Sequence, residues 1–256
     1  MKNFLILLTL VIFASGCGAK SPDLSKLTSE QQLKEIMRAI PKMKSAEMVI
    51  AMDFQVAYDG ESEVVEIDSL VKYEIEKDLK MEMTIELMMQ EVRAEVQVFV
   101  SDRYVYVDGF DSKFKMAYPE ELKAALDEKG LFELGWALFV KRLNFDQFGN
   151  LTSVFEDGCY VLTYDMKEET LKRMDSYFEE FNETELQYNF KNGRIKMKAD
   201  KNAQLVNMTI EFDMVMRDDI NVVEMDFDIE MNINHVNKTK VVLPEDLNTY
   251  RESDIQ

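Results

Sequence analysis

The chain has 256 residues, of which 46% are hydrophobic, and its 49 Asp and Glu outnumber 30 Lys and Arg to give a formal net charge of −19. This much apolar sequence excludes intrinsic disorder for most of the chain, and the lack of a basic stripe in the sequence argues against DNA or RNA as a partner. A single His removes the commonest general base and metal ligand from most catalytic schemes. Composition therefore predicts an acidic globular protein that is not an enzyme and holds no metal or other cofactor.

The first seventeen residues have the form of a targeting signal. Lys2 precedes an apolar run over residues 4–14, and small residues then lead to Cys17. The run is too short to span the ~30 Å of a membrane's hydrocarbon core, and it matches a cleavable signal peptide. The cysteine at the cleavage point resembles the lipobox of bacterial lipoproteins, in which that thiol is acylated, as with palmitate, and becomes the new N-terminus. We therefore expect residues 1–16 to be removed, a diacylglyceryl group on Cys17 to anchor the chain to the membrane, and residues 17–28 to form a flexible tether. An ordinary secretory signal that carries a cysteine is the alternative.

The folded part is predicted to begin with a helix. Thr28 or Ser29 can cap it. Apolar residues then recur at helical spacing up to Ile40, and Pro41 ends the helix. From Ser45 the apolar period changes to two, and this alternation predicts an antiparallel meander of six strands with one apolar and one polar face. The predicted strands cover residues 45–58, 65–76, 79–87, 92–100, 103–107 and 113–116.

Helical sequence occupies the middle of the chain. A short helix is predicted over residues 119–129, where a proline stands at its start. A second helix with a broad apolar surface is predicted over residues 131–148, and a further helical turn over residues 150–156. After a strand at residues 159–165, a third helix is predicted over residues 167–183.

Alternating sequence returns after residue 185. Asn192-Gly193 is a strong hairpin signal, and it predicts a tight turn between strands over residues 186–190 and 194–199. Two longer strands with strict alternation follow, and then a final edge strand. Their predicted ranges are 206–216, 223–233 and 241–247.

Several of these strands exceed ten residues, which is longer than the ~5 to 6 residues typical of globular sheets. Two blocks of long antiparallel strands flank the helical segment, and strand twist should curl such a sheet. The predicted fold is α+β, a strongly curved antiparallel β-sheet that forms a half-barrel, with helices packed on its concave side. We expect a single domain over residues 29–250, with residues 251–256 as a tail.

Five features of the sequence together resemble one superfamily. They are the lipobox at Cys17, the strand Ser-Ala-Glu-Met-Val-Ile-Ala-Met-Asp-Phe at residues 45–54, the Tyr104/Tyr106 strand leading to Phe114-Lys115-Met116, the helical middle, and the closing Val-x-Leu-Pro-Glu at residues 241–245. In this combination the chain resembles the LolA/LppX-like superfamily and, more narrowly, the uncharacterised lipoproteins of Gram-positive bacteria within it. The resemblance covers roughly residues 28–250 and contains no catalytic signature. It implies a half-barrel plugged by helices, which holds acyl chains or lipoproteins between sheet and helices.

Methionine and aromatic side chains dominate the apolar rows of the predicted sheet. Methionine is flexible and polarisable, and it suits surfaces that accept ligands of varied shape. We therefore expect a lipid pocket between the sheet and the predicted helix over residues 131–148. A dry core filled by the protein's own helices fits the same residues. The expected ligand-binding residues are Met52, Phe54, Met83, Ile85, Trp136, Phe139, Met208, Phe212, Met214 and Phe227.

Three other features could carry chemistry. A row of carboxylates is expected on the polar face of two neighbouring strands, and its members are Glu211, Asp213, Glu224, Asp226, Asp228 and Glu230. Because no Asp-x-Asp-x-Asp-Gly loop supplies convergent ligands, we expect a solvated surface here and not a calcium site. Cys159 lies in an apolar run and is expected to be buried and unreactive. His235 is expected on the surface at the end of a strand, without the partners of a catalytic triad.

The sequence as a whole predicts a membrane-anchored extracytoplasmic lipoprotein. It would bind a lipid or another hydrophobic small molecule non-covalently, as a carrier or a sensor. The alternative is a non-catalytic interaction module whose core is filled by its own side chains and whose surface binds another protein of the cell envelope.

Overall fold

The computed structural model of the protein describes residues 23–58, 61–76, 78–101, 104–117, 149–181, 187–217 and 222–252. The predicted helices over residues 119–129 and 131–148 lie outside the described residues. The predicted signal peptide, with Cys17, also lies outside them.

The first helix, α1, covers Ser29–Ala39 and is capped as its sequence predicts. The backbone N–H of Gln31 donates to Thr28 Oγ1 at 3.4 Å, and the backbone N–H of Thr28 donates to Gln31 Oε1 at 3.0 Å. This reciprocal pair satisfies two donors that a helix start would otherwise leave open. The helix passes into a 3₁₀ turn over Ile40–Lys42, which leads to the first strand.

Strands account for most of the remaining described residues. They are β1 (Ser45–Tyr58), β2 (Glu61–Ile75), β3 (Leu79–Met89), β4 (Val92–Ser101), β5 (Tyr104–Gly109), β6 (Ser112–Ala117), β7 (Gly149–Glu156), β8 (Cys159–Met166), β9 (Gln187–Ala199), β10 (Leu205–Arg217), β11 (Val222–Asn234) and β12 (Arg251–Glu252). A second helix, α2, covers Glu168–Phe181 between β8 and β9.

The twelve strands form one large, open, curled sheet in the order β12-β6-β5-β4-β3-β2-β1-β11-β10-β9-β8-β7. All neighbours pair antiparallel except β12, which pairs parallel with β6. The central pair β1–β11 joins strands from the two ends of the chain. Every other antiparallel pair connects strands that follow each other in sequence.

Strand register separates an apolar face from an acidic face. On β1, Phe54 pairs with Phe227 of β11, whereas the neighbouring Asp53 pairs with Asp228. Because successive side chains of a strand point to opposite faces, the same alternation runs through the long strands. We call the face that carries Phe54 the apolar face and the face that carries Asp53 the acidic face.

Both described helices pack on the apolar face. Leu33 and Ile36 of α1 and Leu171 and Met174 of α2 are buried in one cluster with side chains of the sheet. The Ser153 hydroxyl of β7 also donates to Gln32 Oε1 of α1 at 2.5 Å. The helices therefore supply part of the cover that the apolar rows of the sheet need.

The residues expected to form a helical turn at 150–156 form strand β7 instead. Leu151, Val154 and Phe155 fit helical spacing, which is why the pattern was ambiguous for so short a segment. In the structure, Asp157 and Gly158 have positive φ angles of 50° and 79° and make a tight turn from β7 into β8. This prediction was wrong because the turn residues outweigh the spacing of three apolar side chains.

The prediction of a hairpin at Asn192-Gly193 is also wrong. Strand β9 runs without interruption through both residues, with a one-residue bulge at Lys191 where its register to β10 shifts. A Cβ atom on Gly193 would lie only 2.6 Å from Met166 Sδ. The glycine is required here for the close approach of a neighbouring side chain, which a sequence pattern does not distinguish from a turn.

The final segment forms an edge strand later than predicted. Residues 241–247 contain no strand, in keeping with a proline at residue 244 that cannot donate to a ladder. Instead the segment leads to Tyr250, which is buried against Phe99 and Tyr106 on the acidic face, and to β12. At the other end, Leu24 is only 1% exposed in the main core. Described residues as far apart in the chain as Leu24 and Tyr250 are therefore buried against the fold.

Candidate functional site

Aromatic side chains form a band across the apolar face. The rings of Phe54 and Phe227 meet edge to face at 4.9 Å, and those of Phe227 and Phe212 stack at 4.6 Å. Phe190 of β9 continues the band at 5.4 Å from Phe212. Four adjacent strands therefore contribute one ring each to a continuous apolar surface.

The eight expected ligand-binding residues that the structure describes all lie on the apolar face. The register pairs Met52 with Ile229, Met208 with Met231, and Met214 with Met225, and it places Met83 and Ile85 two strands away on the same face. The other two expected residues, Trp136 and Phe139, lie outside the described residues.

Solvent exposure divides this face into two regions. The first, which we call the covered region, consists of buried side chains of β8, β9 and β10. Its members are Leu162, Tyr164, Phe190, Ile195, Met197, Met208, Ile210, Phe212 and Met214. The second, which we call the half-open region, consists of half-buried side chains of β1 to β4 and β11. Its members are Ile50, Met52, Phe54, Val56, Val65, Ile67, Met81, Met83, Ile85, Leu87, Val96, Val98, Met225, Phe227 and Ile229.

Exposure in the half-open region rises toward one end of the strands. At the end near α1, Ala46, Tyr73 and Val100 are buried. At the opposite end, where short turns join β3 to β4 and β5 to β6, Met89 is 40% and Val92 is 58% exposed. We call this the hairpin end. The apolar surface of the half-open region is therefore more accessible to solvent at the hairpin end than near α1.

Two glutamates mark the hairpin end, and sequence reasoning missed them. Glu63 pairs with Val56 in the register, so that Glu63, and Glu61 two residues earlier, lie on the apolar face. Both are exposed, and the amide of Gln90 donates to Glu63 Oε1 at 2.6 Å. The signal was present, because extending the alternation of β2 backward from Val65 reaches both positions.

A cavity of about 690 Å³ lies beside the start of α2. Its apolar wall includes Met166, Leu171 and Phe190. Its charged wall includes Arg194, which donates from Nε to Asp165 Oδ1 at 2.6 Å, and this carboxylate raises the pKa of the guanidinium. Since these opposite charges satisfy each other, the cavity presents no unpaired guanidinium to a ligand.

The acidic face places like charges side by side on adjacent strands. Asp228 pairs in register with Asp53 on one side and Glu211 on the other. Partial burial first, and these neighbours next, raise the pKa of the Asp228 carboxyl above its ordinary value. In the part of the chain that the structure describes, no three His, Cys, Asp or Glu side chains are arranged to hold a metal ion.

The remaining reactive side chains lie away from the apolar face's centre. Cys159 is half-buried at the start of β8, so the expectation of a buried thiol was wrong, because the residue follows directly on the β7–β8 turn. His235 is exposed at the end of β11, as predicted. Within the described ranges, neither helix has the length and apolar character needed to cross a membrane.

No protein-family model and no curated protein matches the sequence. Among solved structures, the chain is similar to LprF from Mycobacterium bovis, with a TM-score of 0.44 and 11% identity over 85% of this chain and 96% of that one. It is also similar to a LolA superfamily protein from Nitrosomonas europaea, with a TM-score of 0.24 and 9% identity over 86% of this chain and 97% of that one. A third is a putative outer membrane lipoprotein-sorting protein domain from Vibrio parahaemolyticus, with a TM-score of 0.24 and 11% identity over 87% and 98% of the two chains. One of these three solved proteins is described as a member of the LolA superfamily.

Proposed function

We propose that the protein binds a lipid or another apolar ligand non-covalently on the half-open region, as a carrier or a sensor. One observation carries the proposal. The same apolar face is buried in the covered region, yet it stays half-buried across five strands in the half-open region. A contiguous apolar surface of this kind is costly in water unless something covers it, which favours a binding function.

Burial of acyl chains would supply the binding energy. Each methylene removed from water contributes about 0.8 kcal/mol before the costs of association are subtracted. Met52, Met81, Met83 and Met225 give the half-open region side chains that can repack around chains of different length. No bond is made or broken in such a role, so it needs no catalytic group.

The same proposal includes the location of the protein. Cys17 would carry the lipid anchor after removal of residues 1–16, and the folded domain would sit outside the cytoplasmic membrane. The apolar face would be the concave side of the curled sheet, with α1 and α2 packed inside it. This geometry would shield a bound chain from water on several sides.

A protein-interaction role is the second candidate, and it is favoured by the edge strand β7. Val154 and Phe155 of this strand are 55% and 61% exposed. Within the described residues β7 pairs only with β8, and its other edge would be the place where a strand from a partner protein of the cell envelope adds to the sheet.

Native mass spectrometry would test lipid binding directly. A chain that begins at Lys20 keeps every described residue, and it would be incubated with a total lipid extract and washed. Adducts of lipid mass are expected on the parent chain and are expected to be lost in Met83→Glu, which charges the half-open region. Val49→Glu, at an exposed site on the acidic face of β1, is the matched control and should keep the adducts. If circular dichroism shows that the chain is folded and its spectrum contains only the unliganded mass, the proposal is contradicted.

Methionine oxidation would locate the ligand. Peroxide should oxidise Met52, Met83 and Met225 before the buried Met197 and Met208, because oxidation follows access of solvent. Bound lipid is expected to slow oxidation of the first three only. Uniform protection of all five would contradict binding on the half-open region.

A further inference from the structure

The register of β1 to β11 places two charged residues on the apolar face, and both are acidic. In β1 to β11, the charged residues placed on this face by the register are Glu61 and Glu63, both exposed at the hairpin end. The turn residues Glu91 and Asp111, at the same end, are exposed and acidic too. Among the described residues on the apolar side, the charges at this end, which we call the mouth of the half-open region, are therefore negative.

Cations of these strands lie on the other face. Every Lys or Arg that has a register partner in β1 to β11 is on the acidic face, and several are held there by carboxylates. Examples are Lys72 with Glu82, Arg93 with Glu86, Lys113 with Asp108 and Lys196 with Glu211. Lys191, at the bulge of β9, has no register partner, and Arg251 lies in edge strand β12, five strands from Glu63. No cation with a register partner in β1 to β11 thus stands beside the mouth on its apolar side.

The direction in which a lipid would lie follows from the exposure gradient. Ala46, Tyr73 and Val100 close the half-open region near α1, whereas Met89 and Val92 leave it open at the hairpin end. An acyl chain that enters from the open end would leave its headgroup at that end. The headgroup would then stand next to Glu61 and Glu63.

A phosphate or other anion is stabilised by cationic side chains or N–H donors. Two exposed carboxylates at the mouth do the opposite, and the net charge of −19 adds to the repulsion. We infer that the ligand is an acyl lipid whose headgroup has no net negative charge, either uncharged or zwitterionic. This inference rests on the proposed lipid-binding function and adds the chemical class of the lipid.

Three lipids with identical dioleoyl chains test the inference, because they differ in the headgroup alone. They are diacylglycerol, phosphatidylcholine and phosphatidylglycerol, of which only the last is anionic. Equimolar amounts would compete for the chain that begins at Lys20 in native mass spectrometry at low ionic strength. We expect the two lipids without net charge to exceed phosphatidylglycerol by about fivefold, given two like charges near the headgroup.

The glutamates are tested by removing their charge. Glu61→Gln together with Glu63→Gln is expected to reduce the preference to about twofold or less. Glu66→Gln together with Glu224→Gln is the matched control, since it removes two exposed charges from the acidic face and should leave the preference unchanged. Thermal unfolding of each variant would establish that it is folded.

Each outcome separates this inference from the proposed function. Equal binding of all three lipids, or a preference for phosphatidylglycerol, would overturn the headgroup class and leave lipid binding intact. A preference that survives in the Glu61→Gln/Glu63→Gln variant would overturn the role of the two glutamates. Failure of all three lipids to bind would overturn the proposed function itself.

Discussion

The covered and half-open regions differ in their connections more than in their strands. Both consist of long alternating strands rich in methionine, valine and aromatic residues. The connection between β8 and β9 contains α2, which packs on the covered region. The connections from β1 to β6 are two or three residues long, which is too short for a helix that crosses the sheet. Within the described residues, burial of the sheet face therefore follows the helix that crosses it, although the strands of the two regions are similarly apolar.

The largest expected effect concerns cavity formation in the two regions. Met197→Ala, at a fully buried site of the covered region, is expected to lower the free energy of unfolding by about 2–4 kcal/mol. Met83→Ala removes the same atoms from a half-buried site, and it should cost less than about 1.5 kcal/mol because less apolar surface is lost from the core. Urea unfolding of both variants measures the difference. Equal losses would show that the two regions are covered alike in solution.

Two glycines on the apolar face allow a second comparison. Gly193→Ala would bring Cβ to 2.6 Å from Met166 Sδ and 3.3 Å from Leu171 Cδ2, and we expect a loss of about 1–3 kcal/mol in the free energy of unfolding. Gly109→Ala would meet Val96 Cγ2 at 3.0 Å, and its loss should be smaller because the half-open region can yield.

The double variant Gly193→Ala/Met166→Ala tests the cause. Removing the methionine side chain should recover part of the loss, which a thermodynamic cycle from urea unfolding would quantify. Strict additivity of the two single losses would contradict the packing explanation.

A third prediction concerns the contact that holds α2 against the covered region. Asp175 Oδ1 accepts the backbone N–H of Phe190 at 2.7 Å, on the part of β9 that extends beyond its pairing with β8. Asp175→Ala leaves this donor without the carboxylate and is expected to cost about 1–2 kcal/mol. Amide hydrogen exchange at Phe190 should rise more than exchange at Ile195, which lies where β9 pairs with β8. Unchanged exchange at Phe190 would rule out this contact as the restraint.

The smallest expected effect lies at the central pair β1–β11, which joins strands from the two ends of the chain. Asp228 faces Asp53 and Glu211, with Lys196 as the nearby cation. Its raised pKa means that the folded state holds the proton more tightly than the unfolded state does. The free energy of unfolding therefore falls as the pH rises through the range above the ordinary value of 3.8. Asp228→Asn should stabilise the protein at pH 7 by a few tenths of a kcal/mol, and this gain should vanish near pH 4. A gain that is independent of pH would contradict the charge explanation.

Strand alternation predicted most of the sheet, because a half-buried strand must place its apolar residues at every second position. The predicted strands from residue 45 to residue 116 and from 206 to 233 match β1 to β6, β10 and β11 closely. The errors occurred where one short sequence pattern is compatible with two different local structures. Gly193 accommodates Met166 and not a turn, and the segment after Val241 crosses the acidic face before its two-residue strand forms.

For the candidate site, the sequence predicts which side chains share the apolar face, but it does not predict which of them are covered. Periodicity assigns Met83 and Met208 to the same face, but it contains no information on which of them a helix will cover. That difference depends on tertiary packing, and among the described residues Leu33 of α1 and Leu171 of α2 lie in the buried cluster that contains Met208. Glu61 and Glu63 were overlooked because charged residues at a strand end look like part of a turn.

The pairing of β1 with β11 also sets the order in which the chain can complete its sheet. Residues 45–58 and 222–234 are more than 160 positions apart, whereas the other antiparallel pairs are local or nearly so. Contacts at such separation carry a large loop-closure cost and form late in folding. During synthesis, β1 therefore has an open edge until residue 234 has emerged. In this interval its alternating apolar sequence presents an unpaired strand edge to other chains, which favours aggregation.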